Sequence, residues 1–193
     1  CHIDGGTVSD NVATSYGGGV YINNCFATML SGSVCGNEAE YGGGVYLNDT
    51  DFDMRGGEIS DNEAYQGGGV YLYSDTFDLY DGVIARNSAT SNGGGVYSYD
   101  TFIMNGGEIS ENYAGSCGGG AYFEFNKSFE MNGGTFADNT AEWHGGAISS
   151  ITDNRRANTF FKLDIREGTF TGNTALDGSG GAIFWYEGRA YLQ

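Results

Sequence analysis

Carboxylates, tyrosines and cysteines recur in this sequence at spacings that could support chemistry. Asp49, Asp51 and Asp53 alternate along one run, so in an extended chain they share a face and could offer oxygen ligands to a hard cation such as Ca²⁺. Neither an EF-hand loop nor the calcium-binding nonapeptide accompanies them, and acidic decoration of a surface is the competing reading. No other metal and no cofactor is expected. A second series, Asp53, Asp78, Glu130 and Asp164 with Ile103 among them, could do acid–base work if basic partners stood beside it. Arg55 is nearly alone in that role, and His2 and His144 lie far apart in the repeat register, so the reading is of no catalytic residue and no enzyme.

The tyrosines are the more suggestive set. Tyr21, Tyr46, Tyr71, Tyr97 and Tyr122 form a column that the alignment continues through Ile148 and Ile183. Two residues further on run Asn23, Asn48, Tyr73, Tyr99, Glu124, Ser150 and Trp185. Rings beside amides and carboxylates are surfaces on which sugars stack and hydrogen-bond, which makes a glycan-stacking strip of Tyr21, Tyr46, Tyr71, Tyr97, Tyr122, Tyr73, Tyr99 and Trp185 one reading. A structural aromatic ladder is the other. The cysteines, Cys1, Cys25, Cys35 and Cys117, show no CxxC spacing and no zinc pattern, and of their pairs only Cys1 with Cys25 falls one repeat apart.

The elements that must position these residues follow from a repeat. Of 193 residues 35 are Gly and none is Pro, without the G-X-Y period of collagen. A glycine triplet or pair opens at Gly17, Gly42, Gly67, Gly93, Gly118, Gly145 and Gly180, giving a period of about 25 residues. An unbroken asparagine series stands at Asn11, Asn37, Asn62, Asn87, Asn112, Asn139 and Asn173, each followed two residues later by Ala. Between these markers apolar residues alternate with period two in three short runs, exemplified by Val70-Tyr71-Leu72, Phe77-Asp78-Leu79 and Val83-Ile84-Ala85, which marks strands. One such unit cannot bury its apolar face alone, so copies must stack, strand on equivalent strand. The fold expected is all-β: a right-handed parallel β-helix of about seven coils with three short strands per coil.

In that geometry Asn occupies a bend where left-handed backbone angles are tolerated, and its amide can bond its copies one strand spacing away, forming a structural ladder. One domain over 1–193 is expected, as a segment of a longer chain whose open ends would meet flanking coils or neighbouring copies. The longest coil carries an insertion near 151–159 with Arg155 and Arg156, which maps to a surface loop. A net charge of −17 with only eight Lys and Arg excludes nucleic acid and anionic membrane surfaces as partners, and no apolar run approaches the roughly 20 residues of a membrane-spanning helix.

Two of the coils carry a resemblance. Phe136-Ala137-Asp138-Asn139 with Gly145-Gly146-Ala147-Ile148, and Phe170-Thr171-Gly172-Asn173 with Gly180-Gly181-Ala182-Ile183, resemble the FxxN and GGA[ILV] motifs of chlamydial polymorphic outer membrane protein repeats. The earlier coils use Ile or Val for Phe and GGGVY for GGAI. They are similar to the wider class of adhesin-like β-helix repeats of bacterial and archaeal surface proteins in the pectin-lyase-like superfamily. The resemblance implies a non-catalytic, extracellular or cell-surface stalk or adhesive passenger, with host or environmental glycans or surface proteins as partners. Alternatives are a filament subunit stacking head to tail, or a carbohydrate-binding or polysaccharide-degrading module. The polygalacturonase-type NTD, GHG and RIK motifs are absent.

Overall fold

The computed structural model describes residues 1–124, 128–151, 162–186 and 189–192. The insertion expected near 151–159, with Arg155 and Arg156, lies outside the described residues from position 152 onward. Among the described residues every regular element is a strand, and every pairing is parallel to the equivalent strand one coil away. A 16-stranded sheet carries the three expected runs, and a second, 6-stranded sheet stacks a fourth short run that contains the alanine after each ladder asparagine. In the early coils the three runs merge: Val45–Ser60 is a single strand of 16 residues.

Alternation dictates what points inward. In the run Thr76–Ala85, Phe77, Leu79 and Ile84 are fully buried, whereas Asp78 between the first two is not. Like residues stack on like. Phe52, Phe77, Phe102 and Phe129 form one inner column with ring centroids 4.8–5.4 Å apart, and Met29, Met54, Leu79, Met104 and Met131 stack in register as the next. Each such side chain contributes about 1.5–3 kcal/mol by leaving water, and one contiguous core runs the length of the rod.

The asparagine corner supplies the polar order. The backbone N–H and the Nδ2 of Asn37 both donate to Oδ1 of Asn62, at 3.0 and 2.9 Å, and Asn62 donates in the same way to Asn87, Asn87 to Asn112, Asn112 to Asn139 and Asn139 to Asn173. Nδ2 also donates to a strand carbonyl of the preceding coil, as Asn87 does to Ile59 at 2.9 Å. A buried carboxamide is thereby satisfied on both sides. The asparagine is not, however, the left-handed residue. That conformation falls on the residue before it, Asp10, Gly36, Asp61, Arg86, Glu111, Asp138 or Gly172, with φ between 54° and 67°. The asparagine is freed from the turn to serve the ladder.

Glycine is required at the opposite corner for two reasons. Gly42 opens the turn at φ 66°. Gly43 lies against the next coil, and a Cβ there would sit 2.6 Å from the carbonyl oxygen of Gly68 and closer still to that of Glu63. The third place holds Gly44 in an early coil and Ala147 in a late one. This corrects the alignment. Ala121 pairs with Ile148, and Ile148 with Ile183, so Ile148 belongs to the inward Val45 column and the tyrosine column continues through Ser149 and Phe184.

Candidate functional site

The outer face of the run after the glycine turn carries the tyrosines. Tyr21, Tyr46, Tyr71, Tyr97 and Tyr122 pair in register and point away from the main core, yet four of the five are buried, with Tyr97 0% exposed. They bury one another. Ring centroids are 5.4, 5.1, 4.8 and 5.2 Å apart in sequence, and the first three pairs are within 10° of parallel. Stacking at the strand spacing turns each ring face toward its neighbour and leaves only ring edges toward the outside, with the Tyr97 hydroxyl itself buried. A sugar therefore cannot lie flat on the interior of this ladder. Burial raises the pKa of Tyr46 and Tyr71 strongly and that of Tyr122 to about 12, so these phenols keep their protons.

Two flanking columns rise beside the ladder. Just before the glycine turn Tyr16, Tyr41 and Gln66 stack in register. Tyr73 and Tyr99 stand two residues after their ladder tyrosines, with centroids 5.9 Å apart and planes at 66°. Together with Tyr46 and Tyr71 these side chains line a cleft of about 180 Å³. The flanking rings are tilted against the ladder, Tyr41 by 73° to Tyr71 and Tyr99 by 55° to Tyr71, so they keep faces that the ladder has lost. Tyr16 and Tyr73 are 49% and 53% exposed.

The structure places the other candidates elsewhere. Trp185 pairs with Ser150, which pairs with Phe123, in an inward column and packs against the main core, so it is not part of an outer strip; the one-residue shift at Ala147 explains the misplacement. Asp49, Asp51 and Asp53 do not converge. The Asp49 carboxylate accepts from Ser74 Oγ at 2.7 Å, that of Asp51 from the Thr76 N–H at 3.3 Å, and that of Asp53 from Arg55 Nη2 at 2.7 Å. Among the described residues no group of three or more His, Cys, Asp or Glu could hold a metal ion. Cys1 stands opposite the Phe26 to Thr28 backbone, out of register with Cys25, and all four cysteines are free.

The acidic column does assemble, with different surroundings along its length. Asp53 pairs with Asp78, and Asp78 with Ile103. Burial raises the pKa of Asp78, and the charge of Asp53 raises it further. Glu130 and Asp164 instead meet two cations: Lys162 Nζ is 3.3 Å from Glu130 and 3.0 Å from Asp164, and Arg166 Nη2 is 2.7 Å from Asp164. Lys162 holds the Asp164 pKa below the usual carboxylate range. Of the cleft residues, Tyr46, Tyr71, Tyr73 and Tyr99 belong to the expected strip; the wall of Tyr16, Tyr41 and Gln66 was missed because that column changes residue type at Gln66, and only its place before the glycine turn could have signalled it.

These features define a parallel β-helix repeat protein, with an asparagine ladder at one corner and a glycine turn at the other. Residues 133–151 and 167–184 match the Chlamydia polymorphic membrane protein repeat. No curated protein matches the chain. Nor does any solved structure. The matched family is bacterial, and the archaeal part of the expectation finds no support.

Proposed function

We propose that the chain is a rigid, non-catalytic repeat segment displayed at a bacterial cell surface, an adhesin-like passenger. The observation that carries this reading is the match of two coils to the polymorphic membrane protein repeat, whose asparagine and glycine corners continue in register through the unmatched coils. A solenoid held by corner-to-corner hydrogen bonds is a stiff spacer, and a periodic exterior presents weak sites whose avidity adds. The acidic column supports the non-catalytic reading. Asp53, Glu130 and Asp164 in it are ion-paired with Arg55, Lys162 and Arg166.

Antibodies raised against the purified chain should label intact, unpermeabilised cells of the source bacterium, and beads coated with the chain should adhere to surfaces those cells colonise. Labelling only after permeabilisation would sink the surface reading. Release of new reducing ends or unsaturated products from acidic or neutral polysaccharides would sink the non-catalytic one.

A further inference from the structure

We propose that the tyrosine cleft binds a single ring of a neutral, hydroxyl-rich saccharide. The proposal rests on the surface-display reading, to which it adds the ligand class and its seat.

The cleft has two kinds of surface. Along its floor Tyr46 and Tyr71 are 7% and 4% exposed and stacked on each other, so they present ring edges and hydroxyls. Burial keeps those hydroxyls protonated at any physiological pH; that of Tyr71 is hydrogen-bonded to Tyr99 and keeps part of its capacity for a ligand. The walls give ring faces: Tyr16 and Tyr41, stacked on each other at 25°, on one side, and Tyr99 with Tyr73 at 66° to it on the other, with Tyr16, Tyr41 and Tyr99 tilted 49–73° to the ladder rings they touch. Gln66 adds a carboxamide, two donors and an acceptor. A pyranose has complementary parts, with C–H faces for the walls and a ring of hydroxyls for the floor.

Size and charge narrow the class. About 180 Å³ is below the roughly 300–1,000 Å³ of pockets for drug-sized ligands, which suits one ring with the rest of the polymer outside. No residue lining the cleft is charged. The nearest charges are carboxylates: Glu40 bonds Tyr41, and Glu124 raises the pKa of Tyr71 through its charge. In a chain of net charge −17 that surrounding repels uronic acids, sialic acids and sulfated sugars. A proline-rich peptide, the other ligand of aromatic grooves, offers carbonyl acceptors and few donors. It would leave the acceptor capacity of the phenols and of Gln66 unpaired.

The test is saturation-transfer NMR on the purified chain with maltohexaose, cellohexaose, xylohexaose and mannohexaose, with hexagalacturonate as the acidic comparator. At least one neutral oligosaccharide should receive saturation, and hexagalacturonate should not. Tyr73→Ala with Tyr99→Ala should weaken the bound sugar by about ten-fold or more, as expected for loss of two stacking rings. Gln66→Leu, which spares the rings, should weaken it less. Tyr113→Ala, at an exposed tyrosine of the other sheet, should bind like the parent chain. The proposal falls if no neutral sugar binds, if the double variant with an unchanged far-UV spectrum binds undiminished, or if hexagalacturonate or a proline-rich decapeptide binds in place of the neutral sugars. Surface labelling of intact cells is independent of these results, so the cleft can fail while the display reading stands.

Discussion

The early coils, with GGGVY turns and the tyrosine ladder, and the late coils that match the polymorphic membrane protein repeat share one backbone and differ in what they place outside it. Both carry the asparagine ladder without a break, from Asn37 through Asn173, and both pack the second residue of the glycine turn against the next coil. Where the early coils put Tyr46, Tyr71 and Tyr97, the late ones put Ser149 and Phe184, and Phe184 stacks on His144 at 4.1 Å. Where the early coils put a third glycine, the late ones put Ala147. The coil is therefore defined by the hydrogen bonds and close approaches of its two corners, and the exterior column is free to become a ladder, a cleft wall or a plain polar strip.

The corners should consequently dominate stability in both regions. Gly43→Ala is expected to have the largest effect, because the new Cβ meets backbone oxygen of two segments and neither can rotate away. Loss of the cooperative unfolding transition in thermal melts is the expected result. A melting temperature within about 2 °C of the parent would break the claim that close approach fixes this corner.

Asn87→Ala comes next. It leaves the Asn62 N–H without its acceptor and takes one of two partners from Asn62 Nδ2, which keeps the Val34 carbonyl, and from Asn112 Oδ1, which keeps the N–H of residue 87, besides the Nδ2 donor to Ile59, for a cost of about 2–4 kcal/mol in chemical denaturation. Asn173→Ala, in the late region where the ladder is only half-buried, should cost about 1–2 kcal/mol. Equal losses at the two positions would contradict the view that burial sets the strength of the ladder.

How much of this was open to sequence reasoning follows from what is periodic. The asparagine, the glycine turn and the inward Val, Phe and Met columns recur because backbone stacking demands the same residue in every coil, and they gave the parallel β-helix and its core. The left-handed position before the asparagine was missed because it accepts Asp, Arg, Glu or Gly alike; its side chain is on the exterior, and what recurs there is the φ. The late tyrosine-column positions were shifted by one because Ala147 replaces a glycine without deleting it, and the replacement looks like a shortened triplet. That shift alone put Trp185 outside when it packs on the core. Of the cleft, Tyr46, Tyr71, Tyr73 and Tyr99 were legible as members of the tyrosine strip, whereas the wall of Tyr16, Tyr41 and Gln66 was not, since that column keeps no common residue type.

A finer contrast separates the ladder from an ordinary core. Tyr97 is fully buried, and its hydroxyl finds no hydrogen-bond partner among the described residues, whereas the wider stack needs its ring. Tyr97→Phe should leave stability unchanged or raise it by up to about 1 kcal/mol, since an unpaired polar atom is removed and the stacking kept. Tyr97→Ala should cost about 3 kcal/mol or more by opening a gap between Tyr71 and Tyr122. If Phe were as damaging as Ala, the hydroxyl would be a working part of the ladder.

The smallest expected effects test the two ends of the acidic column against each other, because their signs are opposite. Asp78, beside Asp53 and partly buried, has its folded pKa raised above 3.8. Its contribution to stability is full below that value and is lost as the pH rises through the folded pKa, so at neutral pH its charge works against the fold. Asp78→Asn should raise the melting temperature at pH 7 by about 2 °C or less and change nothing at pH 3. Asp164, held by Lys162 and Arg166, has its folded pKa lowered below 3.8, so its contribution is present above that value and disappears as the pH falls through the folded pKa. Asp164→Asn should lower the melting temperature at pH 7, with the deficit closing on acidification. Melts of the two variants from pH 3 to pH 7 should diverge from a common point near the acid end. Parallel curves would mean that the cations of the late coils do no more for Asp164 than Asp53 does for Asp78, and that the two regions differ in shape alone.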